Sequence, residues 1–592
     1  MISDRKYNGS YLALSKMGCL QKTLDPFILS DSIIEILFDS CPFDVNQSVE
    51  SINNIDHFKW KYLYDSIIEK LARPGVPESV RIQNALDKLS DSEECCHSIN
   101  HSGYGRSTPS SFFNGVMHRA QQIVANVLGP VKYDDIFAHA RFTSGATTSR
   151  RRKHGDSYFK YHPTWSIDVT VRARPYLEAL IGLTPGWASL IENKPRTTLG
   201  NKVTTVPKKT DVDRAIAMEP DGNAILQNAV GTYLKSRLLK TVGVNLRDQT
   251  TNQDFARLGS ATGIISTLDL SAASDSISDR LVWDLLPPDW YNLLNDLRSH
   301  YGIMPDGTVR KWEKFSAMGN GFTFELESLL FYAISRAVAE FNDCSPEFVN
   351  IYGDDIIIPT RCALNLVSVL SDLGFTTNRD KSFIVGLEFR ESCGEHFYKG
   401  VNVSPFYVKK TISSLPTYVW FLNSLRHWAY SESIDICCPS VEDFWFEFRR
   451  SFIPKCLLGG NQIHSITSVY SKGEPRKKIC FEKDPSRTVY LHGRRALLRY
   501  FQNNQIPDKY DFSYLSVKSK WTGWYIEKTY ESQSAFYSRD SARSITRPNQ
   551  PDLPAKLTSD TYVVACLKAN LDGADPYSSS RTFIFPKEMM VR

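Results

Sequence analysis

FVNIYGDDIIIPT, residues 348–360, consists of two short apolar runs on either side of the tetrapeptide Tyr-Gly-Asp-Asp. Apolar runs of this length that are rich in β-branched residues favour strands, and Gly beside Asp favours a tight turn. The stretch therefore predicts a β-hairpin that carries Asp354 and Asp355 at its turn. Taken alone, Gly-Asp-Asp is a weak signal, because acidic residues at turns are usually just solvated.

An apolar run also precedes the hairpin in the chain, at GIISTLDL, and predicts a strand that ends near Asp269. Ser274 or Asp275 is expected to cap the helix that follows, because short polar side chains accept hydrogen bonds from the free N–H groups of a first turn. Four-residue spacing predicts one apolar face for that helix, made of Ile277, Leu281 and Leu285.

Two more helices complete the predicted layer. The first follows Gly319-Asn320-Gly321, and its apolar stripe contains Leu326, Leu330, Ile334 and Phe341. The second contains Leu366, Leu370 and Leu373 and ends at Gly374, before a strand at residues 375–377. This order of elements predicts an α+β fold in which helices cover one face of a sheet.

Three carboxylates converge if the strand ending near Asp269 pairs with the hairpin of Asp354 and Asp355. Such a group repels itself strongly unless cations neutralise it, and hard oxygen ligands suit Mg²⁺ or Mn²⁺. Two such ions stabilise the attacking and leaving oxygens in phosphoryl or nucleotidyl transfer. The predicted chemistry is therefore two-metal group transfer.

Six ordered blocks of sequence resemble the RNA-directed RNA polymerase catalytic subunits of small positive-strand RNA bacteriophages, the leviviral enzymes of the Qβ-replicase kind. The blocks are RFTSGATT from Arg141, TVPKKTDVDRAIAMEP from Thr205, STLDLSAASDSIS from Ser266, SAMGNGFTFELESLLF from Ser316, IYGDDIIIP from Ile351, and GFTTNRDKSF from Gly374, which continues to FRESCGEHFYKGVNVSPFY. They extend from Arg141 to Lys410, and the flanks carry no matching motif.

The resemblance implies a right-hand polymerase with fingers, palm and thumb, whose antiparallel palm sheet packs on helices. It implies that Asp269 and Asp354 bind both metal ions and that Asp355 supports them. The implied organisation is an N-terminal extension (1–90), fingers (91–260), a palm (261–410) in which about 288–318 is a candidate fingers insertion, and a thumb with the C-terminal region (411–592).

Several residues of these blocks are candidate nucleotide ligands. Cations in the Thr205 block would neutralise the triphosphate, although interspersed acids leave open which lysine reaches it; the candidates are Lys208, Lys209 and Arg214. The resemblance places Lys381 near the leaving pyrophosphate.

The glycines flanking Asn320 (Gly319 and Gly321) permit close approach of a nucleotide or template. Asp275 is a candidate for the ribose 2′-hydroxyl, in competition with its capping role, because Glu327 stands where related enzymes commonly have Asn.

The densest basic run of the chain lies upstream, where Arg150, Arg151, Arg152 and Lys153 precede several aromatic residues. Cations interleaved with aromatic rings suit phosphate contact and base stacking, so the run is a candidate RNA-binding segment. A solvated loop is the competing interpretation for each of these arginines.

Composition sets limits on these hypotheses. The 592 residues, 42% of them hydrophobic and 23% charged, exclude a single small binding module and a disordered or collagen-like chain. The 70 Lys and Arg against 65 Asp and Glu give a net charge of +5, which names no partner. The twelve cysteines form no zinc-ligand spacing, and no run of about 18 apolar residues predicts a membrane span.

The sequence therefore predicts template-dependent synthesis of phage RNA from NTPs in the cytoplasm of an infected bacterium, with Mg²⁺ as cofactor and no membrane partner. The resemblance also implies assembly with host elongation factors Tu and Ts and, in some members, a ribosomal small-subunit protein. Two alternatives stay open at this point. A reverse transcriptase shares the palm carboxylates, and a non-catalytic RNA-binding subunit could keep the fold without the activity.

Overall fold

The computed structural model describes most of the first 453 residues and two short later strands. The described residues are 5–71, 75–152, 155, 160, 166–188, 191, 195–208, 212–384, 388–431, 436–453, 479–481 and 524–526. They belong to two compact units, one built from residues up to Gly75 and from Ser404 onward, and the other from Val76–Val403. Within the described ranges, no helix combines the length and the apolar character that crossing a membrane requires.

The described α-helices range in length from 4 to 25 residues. In chain order they are α1 (Arg5–Leu20), α2 (Pro26–Asp39), α3 (Ile55–Lys70), α4 (Glu78–Ser102), α5 (Ser110–Leu128), α6 (Tyr133–Phe137), α7 (Arg174–Gly182), α8 (Pro185–Ala188), α9 (Asp221–Val242), α10 (Thr250–Thr262), α11 (Asp279–Leu285), α12 (Pro288–Leu297), α13 (Thr323–Phe341), α14 (Thr360–Asp372), α15 (Leu415–Ala429) and α16 (Pro439–Phe452).

The strands are short. They are β1 (Asp168–Thr170), β2 (Arg196–Thr198), β3 (Asn201–Pro207), β4 (Asp213–Met218), β5 (Ile265–Leu268), β6 (Leu270–Ser271), β7 (Tyr301–Ile303), β8 (Val309–Lys311), β9 (Asn350–Tyr352), β10 (Asp355–Pro359), β11 (Thr376–Thr377), β12 (Phe389–Ser392), β13 (Glu395–Tyr398), β14 (Val401–Asn402), β15 (Tyr430–Ser431), β16 (Ile436–Cys437), β17 (Ile479–Phe481) and β18 (Trp524–Ile526).

The predicted hairpin is present as β9 and β10, and β10 also pairs antiparallel with β5. The sheet order is therefore β5-β10-β9, and Ile356, Ile357 and Ile358 on the central strand are fully buried. Helices α13 and α14 pack on this sheet, as the apolar spacing predicts. The prediction of an α+β fold with an antiparallel sheet on helices is confirmed.

Two details of the predicted helices are wrong. The helix after β6 starts at Asp279, and Ser278 caps it by accepting a hydrogen bond from Leu281 N, whereas Ser274 and Asp275 lie in a preceding 3₁₀ turn. Ile277 is consequently buried outside the helix. Phe341, at the last position of α13, is 49% exposed, because the apolar stripe of α13 leaves the core at its final turn.

A second sheet of the same unit has the order β4-β3-β7-β8. Strands β3 and β4 are antiparallel, and β7 joins β3 in parallel at Asn201 and Lys202. The two strands from the segment 288–318 thus extend the sheet that β3 and β4 begin. This sheet fixes the positions of Lys208, which follows β3, and Arg214, in β4.

The other unit has its own apolar core. Residues of α1, α2 and α3 share this core with residues of α15 and α16, and the contacts include Trp60 against Trp428 with ring centroids 5.1 Å apart. Clustering of large aromatic side chains stabilises such a core through area burial and edge-to-face contacts. The described parts of the predicted N-terminal extension up to Gly75 and of the predicted thumb therefore belong to one compact unit, whereas residues 76–90 of the extension belong to the other unit.

Candidate active site

The register of β5 against β10 brings the three predicted aspartates to one end of the sheet. The last pair is Leu268 with Ile356, so the next residues, Asp269 and Asp355, continue the register opposite each other. Directly opposed residues of antiparallel strands are about 5 Å apart at Cα. Asp354 lies beside them in the β9–β10 turn.

The turn between β9 and β10 needs glycine at residue 353. Gly353 has φ +63°, and a Cβ there would lie 2.7 Å from a ring carbon of Phe324. Its backbone N–H donates to Ser328 Oγ at 3.1 Å, which anchors the turn to α13. The turn geometry that presents Asp354 thus depends on the residue without a side chain.

The three aspartates interact electrostatically. Burial raises the pKa of Asp269, and the charge of Asp354 raises it further, while Lys381 and a hydrogen bond from Asn378 act in the opposite direction. Burial also raises the pKa of Asp354, while a backbone hydrogen bond and the charges of Lys381, Arg214 and Lys208 act in the opposite direction. For Asp355, burial followed by the charge of Asp354 raises the pKa to about 7.

In the part of the chain that the structure describes, no close ion pair compensates the charge of this cluster. Among the described residues, no Lys or Arg nitrogen lies within 4.0 Å of a carboxylate oxygen of Asp269, Asp354 or Asp355. The donor set is three carboxylates, which is the chemistry that Mg²⁺ and Mn²⁺ prefer. Their oxygens do not all lie within 4.8 Å of one another. The cluster thus fits divalent cations by donor type and charge rather than as a closed ligand cage.

Three predicted cations surround the cluster. Lys208, Arg214 and Lys381 each lower the pKa of Asp354 through their positive charge, which places all three in its electrostatic surroundings. The Nζ atom of Lys381 lies 3.1 Å from Glu391 Oε1. Burial lowers the pKa of Lys381, but Glu391 and the nearby aspartates outweigh it, so the net direction is upward. Lys209 lies outside the described residues.

Sequence reasoning missed the side chains that hold the aspartates. Asn378 Nδ2 donates to Asp269 Oδ2 at 2.7 Å, and Asp269 N donates to Ser382 Oγ at 3.1 Å. Ser392 Oγ faces Asp355 Oδ1 at 3.4 Å, and Asn252 Nδ2 donates to the Asp355 carbonyl oxygen at 3.2 Å. Asn378, Ser382, Ser392 and Glu391 all lie in the last matched block, but spacing alone does not distinguish them from its other polar residues.

Asp275 is engaged inside the protein. Lys314, whose side chain is 2% exposed, places Nζ 2.7 Å from Asp275 Oδ1. Glu93 Oε1 is 3.9 Å from the same ammonium, so Lys314 lies between two acids. A buried ammonium needs such partners. The structure therefore gives Asp275 an ion-pair role that neither predicted role, helix cap or ribose contact, anticipated.

The Gly319-Asn320-Gly321 loop makes its close approaches to the protein itself. Gly319 has φ +119°, and a Cβ there would lie 2.1 Å from the Ala217 carbonyl oxygen. At Gly321 a Cβ would lie 2.8 Å from Asn228 N. Asn320 is buried, and its Oδ1 accepts from Phe322 N at 3.0 Å. The glycines thus let the loop pack tightly before α13.

Glu327 is buried on α13 beneath the β9–β10 turn. Ser274 Oγ donates to Glu327 Oε2 at 2.6 Å, and a Cβ on Gly353 would lie 3.2 Å from Glu327 Oε1. Burial raises the pKa of Glu327 to about 8, with a further contribution from the charge of Asp354. At neutral pH this carboxyl group is therefore mostly protonated.

The residues of the basic run lie in different environments. Arg150 is 2% exposed and lies 3.9 Å from Asp221 Oδ1, so its guanidinium is inside the fold rather than on an RNA-facing surface. Burial lowers the pKa of Arg150, and the charges of Asp221 and Asp168 oppose that change. Arg151 and Arg152 are exposed. Lys153 lies outside the described residues.

A family model described as RNA replicase, beta-chain, matches residues 28–549 of this sequence. The chain belongs to that family. Its relatives include the RNA-directed RNA polymerase subunit beta of Enterobacteria phage SP, 42% identical over 67% of this chain and 69% of the relative. The RNA-directed RNA polymerase beta chain of Enterobacteria phage fr is 37% identical over 76% of this chain and 83% of the relative.

The beta chain of Escherichia phage MS2 is 38% identical over 72% of this chain and 77% of the relative. The RNA-dependent RNA polymerase of a human picobirnavirus, in an insertion-loop deletion mutant, aligns over 74% of this chain and 88% of its own, with 13% identity and a TM-score of 0.43.

Membership of the replicase beta-chain family identifies this protein as an RNA-directed RNA polymerase of the bacteriophage type, which copies an RNA template with NTPs as substrates. The predicted family and activity are confirmed. The two alternatives, a reverse transcriptase and a non-catalytic RNA-binding subunit, are set aside because the relatives are RNA-synthesising enzymes.

Proposed function

We propose that this replicase synthesises RNA by two-metal nucleotidyl transfer, with Asp269 and Asp354 as the metal-binding residues and Asp355 in support. The observation that carries the proposal is the β5–β10 register, which brings three carboxylates together. The charge of Asp354 raises the pKa of Asp269 and of Asp355, and among the described residues no cation lies at ion-pair distance from the three. The three aspartates would hold two Mg²⁺ ions, which would supply activation of the 3′-hydroxyl of the growing strand and stabilisation of the pyrophosphate leaving group.

The residues around the aspartates then have separate roles. Asn378 and Ser382 hold Asp269 in a fixed orientation, and Asn252 holds the backbone at Asp355. Fixed acidic ligands need no reorganisation during the reaction, which is the main source of electrostatic catalysis. Lys381, which Glu391 contacts at 3.1 Å, is proposed to donate a proton to the departing pyrophosphate.

Lys208 and Arg214 are proposed to bind the triphosphate. Both influence Asp354 electrostatically, and both are exposed at the β3–β4 end, where a phosphate can reach them. Their fixed positive charge favours the charge that develops on the transferred phosphoryl oxygens. Lys209 is a further candidate by its place in the same sequence block. The Gly319–Gly321 loop is proposed to shape the nucleotide pocket through its backbone.

The template or product RNA is proposed to contact the exposed part of the basic run, Arg151 and Arg152, with Lys153 as a candidate from sequence. Phosphate contacts of this kind give affinity without sequence preference and weaken as salt concentration rises. Arg150 is left out because its guanidinium is buried beside Asp221.

In the hand nomenclature, we assign the palm to residues 261–410, with β5, β9 and β10 as its sheet. The fingers are assigned to 91–260 together with the insertion at about 288–318, and the thumb to 411–592. The strands of the insertion support this assignment, since they extend the sheet of β3 and β4.

An RNA-copying assay tests the metal proposal. The purified chain, with bacterial extract, receives RNA, labelled NTPs and increasing Mg²⁺ or Mn²⁺, and is compared with Asp269→Asn and with the control Asp254→Asn, an exposed acid on α10. We expect RNA synthesis that requires the divalent ion, and a loss of at least ~10³-fold in Asp269→Asn alone. Undiminished synthesis by Asp269→Asn would contradict the assignment.

The host partners are a separate proposal. From the family resemblance, we infer that the chain assembles in the cytoplasm of the infected bacterium with elongation factors Tu and Ts, and with a ribosomal small-subunit protein in some complexes. A pull-down of the tagged chain from infected cells is expected to recover Tu and Ts. Recovery of the chain alone in fully active form would overturn this inference.

A further inference from the structure

Two histidines and a glutamate form a compact cluster away from the three aspartates. His97 and His101 are four residues apart on one face of α4, and Glu313 follows β8. One ligand atom from each of the three residues lies within 4.8 Å of the others. Among the described residues, no other group of three His, Cys, Asp or Glu side chains meets that limit.

The geometry is close to that of a transition-metal site. His97 Nδ1 is 3.3 Å from Glu313 Oε1, and the two imidazole ring centroids are 4.0 Å apart. Ligand atoms about 2 Å from a tetrahedral Zn²⁺ are separated by about 3.3 Å. The pair His97 Nδ1 and Glu313 Oε1 thus already has the spacing of two zinc ligands, and rotation of the His101 ring completes the set of three.

Hydrogen bonds outside the cluster orient the ligands. His101 Nδ1 lies 2.9 Å from the His97 carbonyl oxygen and 4.0 Å from Glu313 Oε2. In the tautomer whose Nδ1–H donates to that carbonyl, Nε2 carries the lone pair, and the exposed ring must rotate for Nε2 to share a metal with Glu313. Asn100 Nδ2 donates to Glu313 Oε2 at 3.0 Å. Histidine bonded to a backbone carbonyl and carboxylate bonded to an amide are the outer contacts that metal ligands usually have.

The ligand types also select the ion. Imidazole nitrogen with one carboxylate suits Zn²⁺ and related transition metals, whereas Mg²⁺ prefers oxygen ligands alone. The side chains of His97 and His101 are 60% and 59% exposed, so an ion can enter from solvent. His101 and Glu313 line a cavity of about 990 Å³, which leaves room for water or another small ligand at a fourth position.

From this arrangement we propose that His97, His101 and Glu313 form a Zn²⁺ site that joins α4 to the segment after β8. The same two elements already meet one helical turn earlier, where Glu313 N donates to Glu93 Oε2 at 2.8 Å. The next residue, Lys314, is the partner of Asp275. Zn²⁺ bound here stabilises the folded chain, because the unfolded chain does not hold the three ligands together.

Zn²⁺ titration of the full-length, metal-freed chain in excess Mg²⁺ tests the site. We expect the wild-type chain to bind one more Zn²⁺ with high affinity than His97→Ala or His101→Ala, and Zn²⁺ to raise the melting temperature of the wild type but not of these variants. The control His118→Ala removes an exposed histidine of α5 and should behave as wild type. Asn100→Ala should weaken Zn²⁺ binding about 10-fold.

Substitution with Co²⁺ gives a second measurement, since a site with histidine nitrogen in near-tetrahedral geometry has visible d–d absorption that His97→Ala would lose. Glu313→Gln decides the question if a histidine variant does not fold. Equal Zn²⁺ stoichiometry and affinity in the wild type and in the folded variants would overturn the proposal, as would an unchanged Co²⁺ spectrum.

Discussion

Asp275, six residues after Asp269 in the same sequence block, differs electrostatically from the aspartates at the β5–β10 end. Asp275 has the Lys314 ammonium 2.7 Å away, and Lys314 is almost completely buried. Asp269, Asp354 and Asp355 have cations in their surroundings but, among the described residues, none at ion-pair distance. An acid with an internal partner stabilises the scaffold, whereas acids without one leave negative charge for a substrate-bound cation.

Glu327 is a buried acid of the same region in a third state, in which its carboxyl group is protonated. It accepts a hydrogen bond from Ser274, and its raised pKa keeps it mostly neutral near pH 7. Asp275 is therefore ion-paired, Glu327 is protonated, and the aspartates at the β5–β10 end have no close ion-pair partner among the described residues. Each state predicts a different response when the carboxylate is removed.

The largest effect is expected for Asp354→Asn. Removing one carboxylate from the cluster should reduce RNA synthesis at least ~10³-fold, because metal-assisted charge stabilisation is worth several kcal/mol. Stability should stay the same or rise, since the repulsion that raises the pKa of Asp269 and Asp355 is relieved. Incorporation of labelled NTPs and thermal unfolding, with Asp254→Asn as control, check both parts. A large loss of stability in Asp354→Asn would remove the contrast with Asp275.

Asp275→Asn should mainly affect stability. It leaves the buried Lys314 ammonium with Glu93, 3.9 Å away, and the Trp312 ring, and breaking a buried ion pair costs about 3 kcal/mol. Urea unfolding followed by circular dichroism measures the difference. Adding Lys314→Met to Asp275→Asn should recover part of the loss, because the uncompensated charge is then absent. Wild-type stability of the single variant would show that the ion pair contributes nothing.

The sequence could predict the hairpin, the supporting helices and the three aspartates, because apolar spacing and turn residues are local signals. It could not predict the partner of Asp275, since Lys314 is distant in sequence and its neighbours give no periodic signal. The burial of Arg150 beside Asp221 was hidden for the same reason: a basic run looks alike whether its members are solvated or enclosed. Cysteine spacing likewise gives no signal for His97 and His101, whose third ligand comes from another element.

Gly319→Ala is expected to have a smaller effect on stability, of about 2 kcal/mol. Residue 319 has φ +119°, and the new Cβ would meet the Ala217 carbonyl oxygen of β4, so the loop must move. Because β4 also carries Arg214, the displacement should raise the KM for NTPs more than it lowers kcat. Gly307→Ala is the control: its φ is also positive, but no atom lies within 4 Å of the added Cβ. Equal behaviour of the two variants would mean that strain, not contact with β4, determines the effect.

Glu327→Gln should have an effect that depends on pH and is the smallest of these at low pH. The pKa of Glu327 rises from an ordinary value of 4.5 to about 8, so between these values the folded chain binds a proton that the unfolded chain releases. Stability of the wild type relative to Glu327→Gln should therefore be highest at low pH and fall as pH rises through this window. Near pH 5 the two chains should differ by no more than about 1 kcal/mol, because Gln keeps an acceptor for Ser274.

Melting temperatures from about pH 5 to 9, with the exposed Glu347→Gln as control, measure the difference. Parallel curves for wild type and Glu327→Gln would show that Glu327 is ionised throughout, and that its charge is compensated as that of Asp275 is.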